Sequence, residues 1–377
     1  MKTKVIEFIT SLGDGGAETL VKDYALLLDK DLFDITILTR YPIHGTANMK
    51  ILNDNDIKII TLNSSDSVFA KIFNKITKPV RIPLKLRSII RMEKPDVIHV
   101  HLCQLEYMGY AAKYLKDIRI FYTCHNIIEK YFGPDCKKEL KAAQMLIRNN
   151  GMRLIALHDD MRRELNTLFN TDNTVVIRNG IDFERFNSID ITKSNERQLL
   201  GIPENAFVIG HVGRFTHQKN HPFLIEIFRE ASARDKNAFL LLVGAGDTAY
   251  VTEKLKEYNL ETRCMILSNR SDIPQIMRAM DVFVFPSLYE GLGIVLIEAQ
   301  AMGLRCIISD AVPDEAVRTR NVIKCSLEDS PVVWVDNIYS NSINSGSYGT
   351  LDDYDMRKEI KKLEQLYLNQ RRQKVTK

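Results

Sequence analysis

Six cysteines are scattered through 377 residues, at positions 103, 124, 136, 264, 306 and 325, and no two of them form a C-x-x-C pair. That absence argues against a structural zinc site and against a disulfide framework, and a reducing compartment fits best. No apolar run is long enough to span a membrane. The opening MKTKVIEFITSL carries Glu7 inside a short apolar segment and has no small-residue cleavage site. It reads as the first strand of a cytoplasmic chain, beginning at about Lys4, and not as a signal peptide. An excess of one charge is missing too: 52 Lys plus Arg face 48 Asp plus Glu, so the balance alone demands no nucleic acid. The first glycine loop, Ser11-Leu-Gly-Asp-Gly-Gly16, lacks the G-x-G-x-x-G spacing of a dinucleotide fingerprint, which weakens a dehydrogenase reading.

What remains is ordinary for a soluble globular chain, 45% hydrophobic and 27% charged, and its length exceeds what one core usually supports. Two domains are expected. The stretch Asp281 to Gly303, DVFVFPSLYEGLGIVLIEAQAMG, organises the rest. Val282 to Phe285 form a strand, Pro286 ends it, Glu290-Gly291-Leu292-Gly293 make a permissive loop, and Ile294 to Met302 read as a helix stopped by Gly303. A helix beginning directly after such a loop aims unpaired N–H groups and its positive dipole end outward, which suits a phosphate. Glu298 lies among Val295, Leu296, Ile297 and Ala299, where an acid needs a partner.

The N-terminal half alternates strand and helix. Strands are expected at Val5 to Thr10, Ile35 to Leu38, Ile57 to Leu62, Val97 to Val100, Ile118 to Thr123 and Leu154 to Leu157, with helices such as Ala17 to Leu28 and Tyr107 to Leu115 between them. Short apolar strands of this kind imply a parallel sheet covered on both faces, with ligands beyond the strands' C-terminal ends. His99, His101 and His125 occupy those places. After a polar stretch from Asn187 to Arg197 the alternation starts afresh, with Phe207 to Val212, Ala238 to Val243, Met265 to Leu267, Val282 to Phe285 and Arg305 to Ser309 as strands. The tail, Tyr354 to Leu368, spaces Ile360, Leu363, Leu366 and Tyr367 as one buried stripe of a helix. The expected domains are 1–187, completed by 355–377, and 188–354.

Five motifs in order carry a resemblance. Gly15-Gly16-Ala17-Glu18, Asn179-Gly180-Ile181-Asp182, Val212-Gly213-Arg214 with Gln218-Lys219-Asn220, Val243-Gly244-Ala-Gly246-Asp247, and Pro286-Ser287 with Glu290 through Glu298 together resemble the retaining glycosyltransferases of family four. The likeness spans nearly the whole chain and is nearest in look to bacterial enzymes of capsule and exopolysaccharide synthesis. It implies a GT-B fold of class α/β: two Rossmann-like, doubly wound domains facing across a cleft, with a C-terminal helix crossing back to the first domain. It also implies a nucleotide diphosphate sugar as donor, with uridine diphosphate favoured, a glycan acceptor, and neither a cofactor nor a metal.

Such an enzyme must stabilise a departing diphosphate whose charge grows in the transition state. Arg214 and Lys219, five residues apart in a loop after a strand, are the natural pair for it, one a planar fork and the other a point charge. Amides near Gly15 and Gly16, near Gly244, and along Gly291, Leu292, Gly293 and Ile294 add neutral donors. By resemblance Glu298 holds the ribose hydroxyls, Glu290 contacts the donor sugar, Arg270 lies near the base, and His125 matches a histidine beside the reacting sugar. His99 and His101 are placed on the acceptor side. A lone histidine is more often structural, and it is the strand-end position of His125, together with that resemblance, that favours function for it. Cys124 beside it has no activating neighbour. Asp54-Asn-Asp56 has the D-x-D spacing of metal-dependent transferases of another fold but sits in a polar turn. Two rivals share this fold, a sugar-nucleotide epimerase and a catalytically silent binding protein. The E-x7-E stretch argues against the first, and retention of Arg214, Lys219, Glu290 and Glu298 against the second.

Phe69 to Arg91 is the other unusual region. Phe69, Ile72, Phe73 and Ile76 share one helical face amid Lys71, Lys75, Lys78, Arg81, Lys85, Arg87 and Arg91, and Pro79 and Pro83 are expected to break the segment into two helices. A solvated basic face is the usual explanation of such a run. An anionic membrane surface, at the inner face of the cell membrane, is the functional one, and a lipid-linked acceptor would bring the enzyme there. Nucleic acid is disfavoured because no aromatic platform accompanies the bases.

Overall fold

The computed structural model describes residues 2–13, 15–62, 68–187, 190–268, 270, 272–346 and 349–368, with only the backbone of 68–79, 185 and 187. The chain forms two compact units, one of Met1–Asn179 with Arg357–Lys377 and one of Gly180–Met356. Each is built on its own parallel sheet. The two-unit, parallel-sheet α/β architecture implied by the motifs is what the chain adopts.

The first sheet has seven strands: β1 (Thr3–Ile9), β2 (Phe33–Thr39), β3 (Lys58–Thr61), β4 (Val97–His101), β5 (Arg119–Thr123), β6 (Arg153–Ala156) and β7 (Val175–Val176). Their order is β3-β2-β1-β4-β5-β6-β7. The reversal between β1 and β4 is the kind of place where ligands lie in doubly wound sheets. There the register sets Glu7 beside His99, and β4 sets His101 beside Thr123. Ile9, Leu12, Val21, Ala25, Ile37 and Leu52 pack as a core under the helix Gly16–Leu27.

The second sheet has six strands: β8 (Phe207–Val212), β9 (Ala238–Val243), β10 (Cys264–Leu267), β11 (Val282–Phe285), β12 (Arg305–Ser309) and β13 (Val322–Cys325), in the order β10-β9-β8-β11-β12-β13. Its core gathers Leu240, Leu242, Val282, Val284 and Ile307 with the fully buried Trp334 on the helix Pro331–Tyr339. Neither that helix nor β13 was apparent from periodicity. The polar stretch read as irregular contains a helix, Lys193–Leu200, capped by Thr192, whose side chain accepts from Asn195 N.

The division between the units falls at Asn179/Gly180, eight residues before the expected 187/188. Chain geometry explains the position. Ile181 N donates to Tyr354 O at 2.8 Å and Met356 N to Ile181 O at 3.0 Å, so two connecting segments run side by side as a short parallel bridge. A Cβ on Gly180 would stand 2.5 Å from Met356 Cα, which is why Asn-Gly-Ile-Asp needs its glycine. The last helix, Met356–Leu368, then packs on the first unit. There Glu359 Oε2 accepts from Arg178 N and Glu364 Oε1 from Asp29 N, both at 2.9 Å.

One expectation fails. Pro79 and Pro83 do not split the basic segment: Val68–Glu93 is a single helix of 26 residues. Each proline removes one intrahelical hydrogen bond without ending the helix. The side chains of Phe69, Lys71, Ile72, Phe73, Lys75, Ile76 and Lys78 lie outside the described residues, so the apolar face read on them has no structural counterpart here.

Candidate functional site

In the second unit the organising stretch folds as a strand, a loop and a helix. β11 is wholly buried, Ser309 Oγ donates to Ser287 O at 2.6 Å, and Leu288 N donates to Gln218 O at 2.8 Å, which ties this loop to the one after β8. Gly293 caps the helix Ile294–Ala301 at φ +78°, a conformation that favours glycine and is closed to proline. Gly291 and Leu292 are buried before it. Glu298 is half-buried on that helix.

The loop after β8 holds the cations. A tight turn at His217–Lys219 ends at Asn220, whose left-handed backbone launches the helix His221–Arg234 with Pro222 in its first turn. Lys219 Nζ lies 2.6 Å from Glu290 Oε1, with only 15% and 7% of the two side chains exposed, and 4.5 Å from the Phe285 ring centre. Its stem lies against Gly213, where a Cβ would come 3.1 Å from Cδ and Cε. Gly244 is tighter still: a Cβ there would stand 2.0 Å from Gly213 O. Arg214 is exposed and its side chain has no partner among the described residues. The pair expected to converge on one phosphate is therefore divided here, with Lys219 bound to Glu290 and Arg214 turned to solvent. Arg270 is clamped by both oxygens of Asp272, while Ser268 Oγ donates to Gly244 O at 3.0 Å.

Beneath Lys219 two histidines are buried. His211 Nδ1 donates to Val284 O at 2.9 Å, leaving Nε2 as an acceptor without a partner among the described residues, and His221 stacks on Phe215 at 4.4 Å. Burial first, then neighbouring charge, holds both imidazoles neutral, His221 at about 4. The strand-end signal did not single out either residue.

In the first unit the three expected histidines form one hydrogen-bonded cluster. His101 Nδ1 lies 2.8 Å from His125 Nε2 and His101 Nε2 lies 2.7 Å from Glu7 Oε2. His99 lies 2.6 Å from Tyr367 Oη and 2.7 Å from Thr123 Oγ1. Leu102, directly after β4, is left-handed at φ +58°, a conformation costly for leucine that turns the chain away beyond His101. Sequence reasoning passed over Glu7 and Tyr367 as site residues. A lone acid in the middle of an apolar parallel strand was the available signal for the first. Gly15 caps the helix Gly16–Leu27 in extended conformation, accepting from Thr19 N at 2.8 Å. Cys124 is buried with its thiol pushed up to about 12, so it is no nucleophile. Asp54 ends the helix Ala47–Asp54 and Asp56 lies in the turn that follows, both exposed, so the D-x-D pair is solvated but only its second acid sits in a turn.

Two family models match the chain, "Glycosyltransferase Family 4" over residues 14–185 and "Glycosyl transferases group 1" over residues 192–319. Among curated proteins, EpsF of Bacillus subtilis, assigned as a glycosyltransferase, is 29% identical over 342 residues, 89% of this chain and 86% of that protein. The UDP-Gal:α-D-GlcNAc-diphosphoundecaprenol α-1,3-galactosyltransferase of Escherichia coli is 30% identical over 243 residues, 62% of this chain and 63% of that protein. Among solved structures, Anabaena HepE in complex with UDP and glucose matches with a TM-score of 0.71 and 20% identity, covering 97% of this chain and 95% of that one.

Proposed function

Because this chain belongs to the glycosyltransferases of family four, we propose that it moves a hexose from a uridine diphosphate sugar to a lipid-linked glycan in surface polysaccharide assembly, with retention at the anomeric carbon and without a metal. The observation that carries this reading is the Lys219–Glu290 pair at the mouth of a glycine loop. A buried ammonium held 2.6 Å from a carboxylate is preorganised and poised for exchange. When a diphosphate arrives, Lys219 turns to the phosphate and Glu290 is freed for the sugar's hydroxyls. Arg214, with no side-chain partner among the described residues, is available as the second cation. Amides at the start of the helix Ile294–Ala301 add neutral donors, Glu298 takes the ribose, and His125 serves the reacting sugar. Support for the donor and acceptor classes comes from the Escherichia coli relative, named for a UDP-sugar and an undecaprenol-linked acceptor, and from the neighbour solved with UDP and glucose.

The donor's charge is met by Arg214, Lys219 and helix amides, so transfer should persist in excess EDTA, with an α-linked donor giving an α-linked product by NMR. Strict dependence on added manganese, or an inverted product, would overturn the mechanism.

The second part of the proposal is peripheral docking at the inner face of the membrane through the helix Val68–Glu93. No described helix is long and apolar enough to cross a membrane. In the described side chains, Val80, Leu84 and Met92 are 67%, 55% and 65% exposed, and Leu84 and Met92 line a shallow hollow with Arg87, Ser88 and Arg91. Each base near an anionic leaflet contributes about 1 kcal/mol. Changing Lys71, Lys75, Lys78 and Arg91 to Gln should lower partition onto anionic vesicles by about 4 kcal/mol, close to a thousandfold, at low salt. Wild-type binding should rise with anionic lipid and fall with salt. Equal sedimentation of both proteins would return the segment to a solvated basic face.

A further inference from the structure

Glu7 stands in a central strand of a parallel sheet, and from Val5 to Ile9 every other residue of that strand is buried and apolar. A carboxyl there is costly unless its oxygens are engaged. They are: Tyr367 Oη donates to Oε1 at 2.9 Å, His101 Nε2 lies 2.7 Å from Oε2, and His99 Nδ1 lies 3.4 Å from the same oxygen. From His101 the chain of contacts runs on to His125 Nε2. It stops at His125 Nδ1, an atom shut off from solvent and without a partner among the described residues. The relay is open at one end.

Its proton count allows two neutral-imidazole states. With Glu7 as the acid, Oε2–H donates to His101 Nε2, His101 Nδ1–H donates to His125 Nε2, and His125 carries its one proton on Nδ1. The open end is then a donor. With Glu7 as the carboxylate, His101 Nε2–H donates to Oε2, His125 Nε2–H donates to His101 Nδ1, and His125 Nδ1 is bare. The open end is then an acceptor. One proton is lost, from the open end, while the others shift one place along the chain; no imidazolium occurs in either state.

We propose that Glu7 is a positioning residue which, acting through His101, sets whether His125 offers a donor or an acceptor to the substrate hydroxyl beside it. This rests on the reading that His125 serves the reacting sugar. The groups facing Glu7 are Tyr24 from the helix Gly16–Leu27, His99 and His101 from β4 and Tyr367 from the last helix, with the uncharged Ile37 beside it on β2 and His125 one contact further on, against His101. Burial lowers all three histidines, His101 to about 3, and raises both phenols. Glu7 is the member that titrates near neutrality: burial pushes it up to about 8, against the lowering effect of the Tyr367 hydrogen bond. The donor state therefore prevails at pH 7 and the acceptor state above the transition.

The test is 15N NMR of histidine-labelled full-length protein from about pH 6 to about pH 10, two units either side of that transition. In the wild type, His125 Nδ1 should pass from a protonated to an unprotonated signature near pH 8. In Glu7→Gln the amide donates permanently to His101 Nε2, so Nδ1 should stay protonated throughout, and the rate of transfer should lose its pH dependence in that range. Tyr367→Phe removes a donor to the carboxylate and should move the transition to higher pH, which keeps the idea testable if Glu7→Gln fails to fold. An unchanging wild-type signature, the same titration in Glu7→Gln, or an unmoved transition in Tyr367→Phe would each overturn the proposal. His125→Ala separates the two layers: wild-type transfer in that variant removes His125 from the sugar site, whereas the tautomer change is read in the wild type by itself.

Discussion

Arg214→Ala should lower turnover about a hundredfold or more, the usual cost of removing one preorganised donor from a transition state, while leaving stability within about 0.5 kcal/mol of the wild type. The second half follows from exposure: Arg214 has no side-chain partner to lose among the described residues. Its effect should fall on kcat more than on donor affinity, because the diphosphate gains charge as the sugar leaves. Lys219→Ala should share the loss of turnover but differ in stability. It strands the Glu290 carboxylate, 7% exposed, without its cation, and breaking a buried pair from one side typically costs about 3–5 kcal/mol. Lys219→Ala should therefore melt lower than Arg214→Ala. Steady-state kinetics with a denaturation curve for each variant checks both. Full activity in the two variants would remove them from the mechanism, and equal stability would remove the Lys219–Glu290 pair from the ligand-free enzyme.

Gly244→Ala carries the second large effect. A Cβ would stand 2.0 Å from Gly213 O and 2.7 Å from Gly213 C. The obstruction is backbone at the turn that holds Arg214 and presses on Lys219, so no flexible side chain can move aside. Overpacking of this kind costs about 3 kcal/mol or more, and any relaxation displaces the phosphate loop. The variant should be markedly destabilised and close to inactive even where it remains folded. Urea denaturation with a transfer assay on the folded fraction tests this. Normal stability and activity would mean the β8 and β9 loops do not approach as closely as described.

Much of this was legible in the sequence because local pattern suffices for it. Short apolar strands between helical periods specify parallel sheets, and the strand-loop-helix at Asp281 to Gly303 forms where its glycines and Pro286 put it. What escaped depends on contacts between distant residues. Tyr367 and Glu7 are 360 positions apart and Lys219 and Glu290 are 71 apart. Side-chain type marked Lys219 as a phosphate ligand, but nothing in the spacing said that Glu290 already holds it. Glu7 was visible as an anomaly and lacked a visible partner. The prolines at 79 and 83 misled for the opposite reason, since local propensity predicts a break that the helix Val68–Glu93 absorbs.

The most direct measurement of the central claim is a thermal-shift titration of the intact chain with a panel of nucleotide diphosphate sugars, beside the matching nucleosides. Uridine diphosphate hexoses should raise the melting temperature, stabilising by about 2.7 kcal/mol at a hundred times Kd; uridine alone should do so far less, and Lys219→Ala should blunt the response. A chain whose melting temperature is moved by no nucleotide sugar, or equally by the nucleoside without its diphosphate, would contradict that claim.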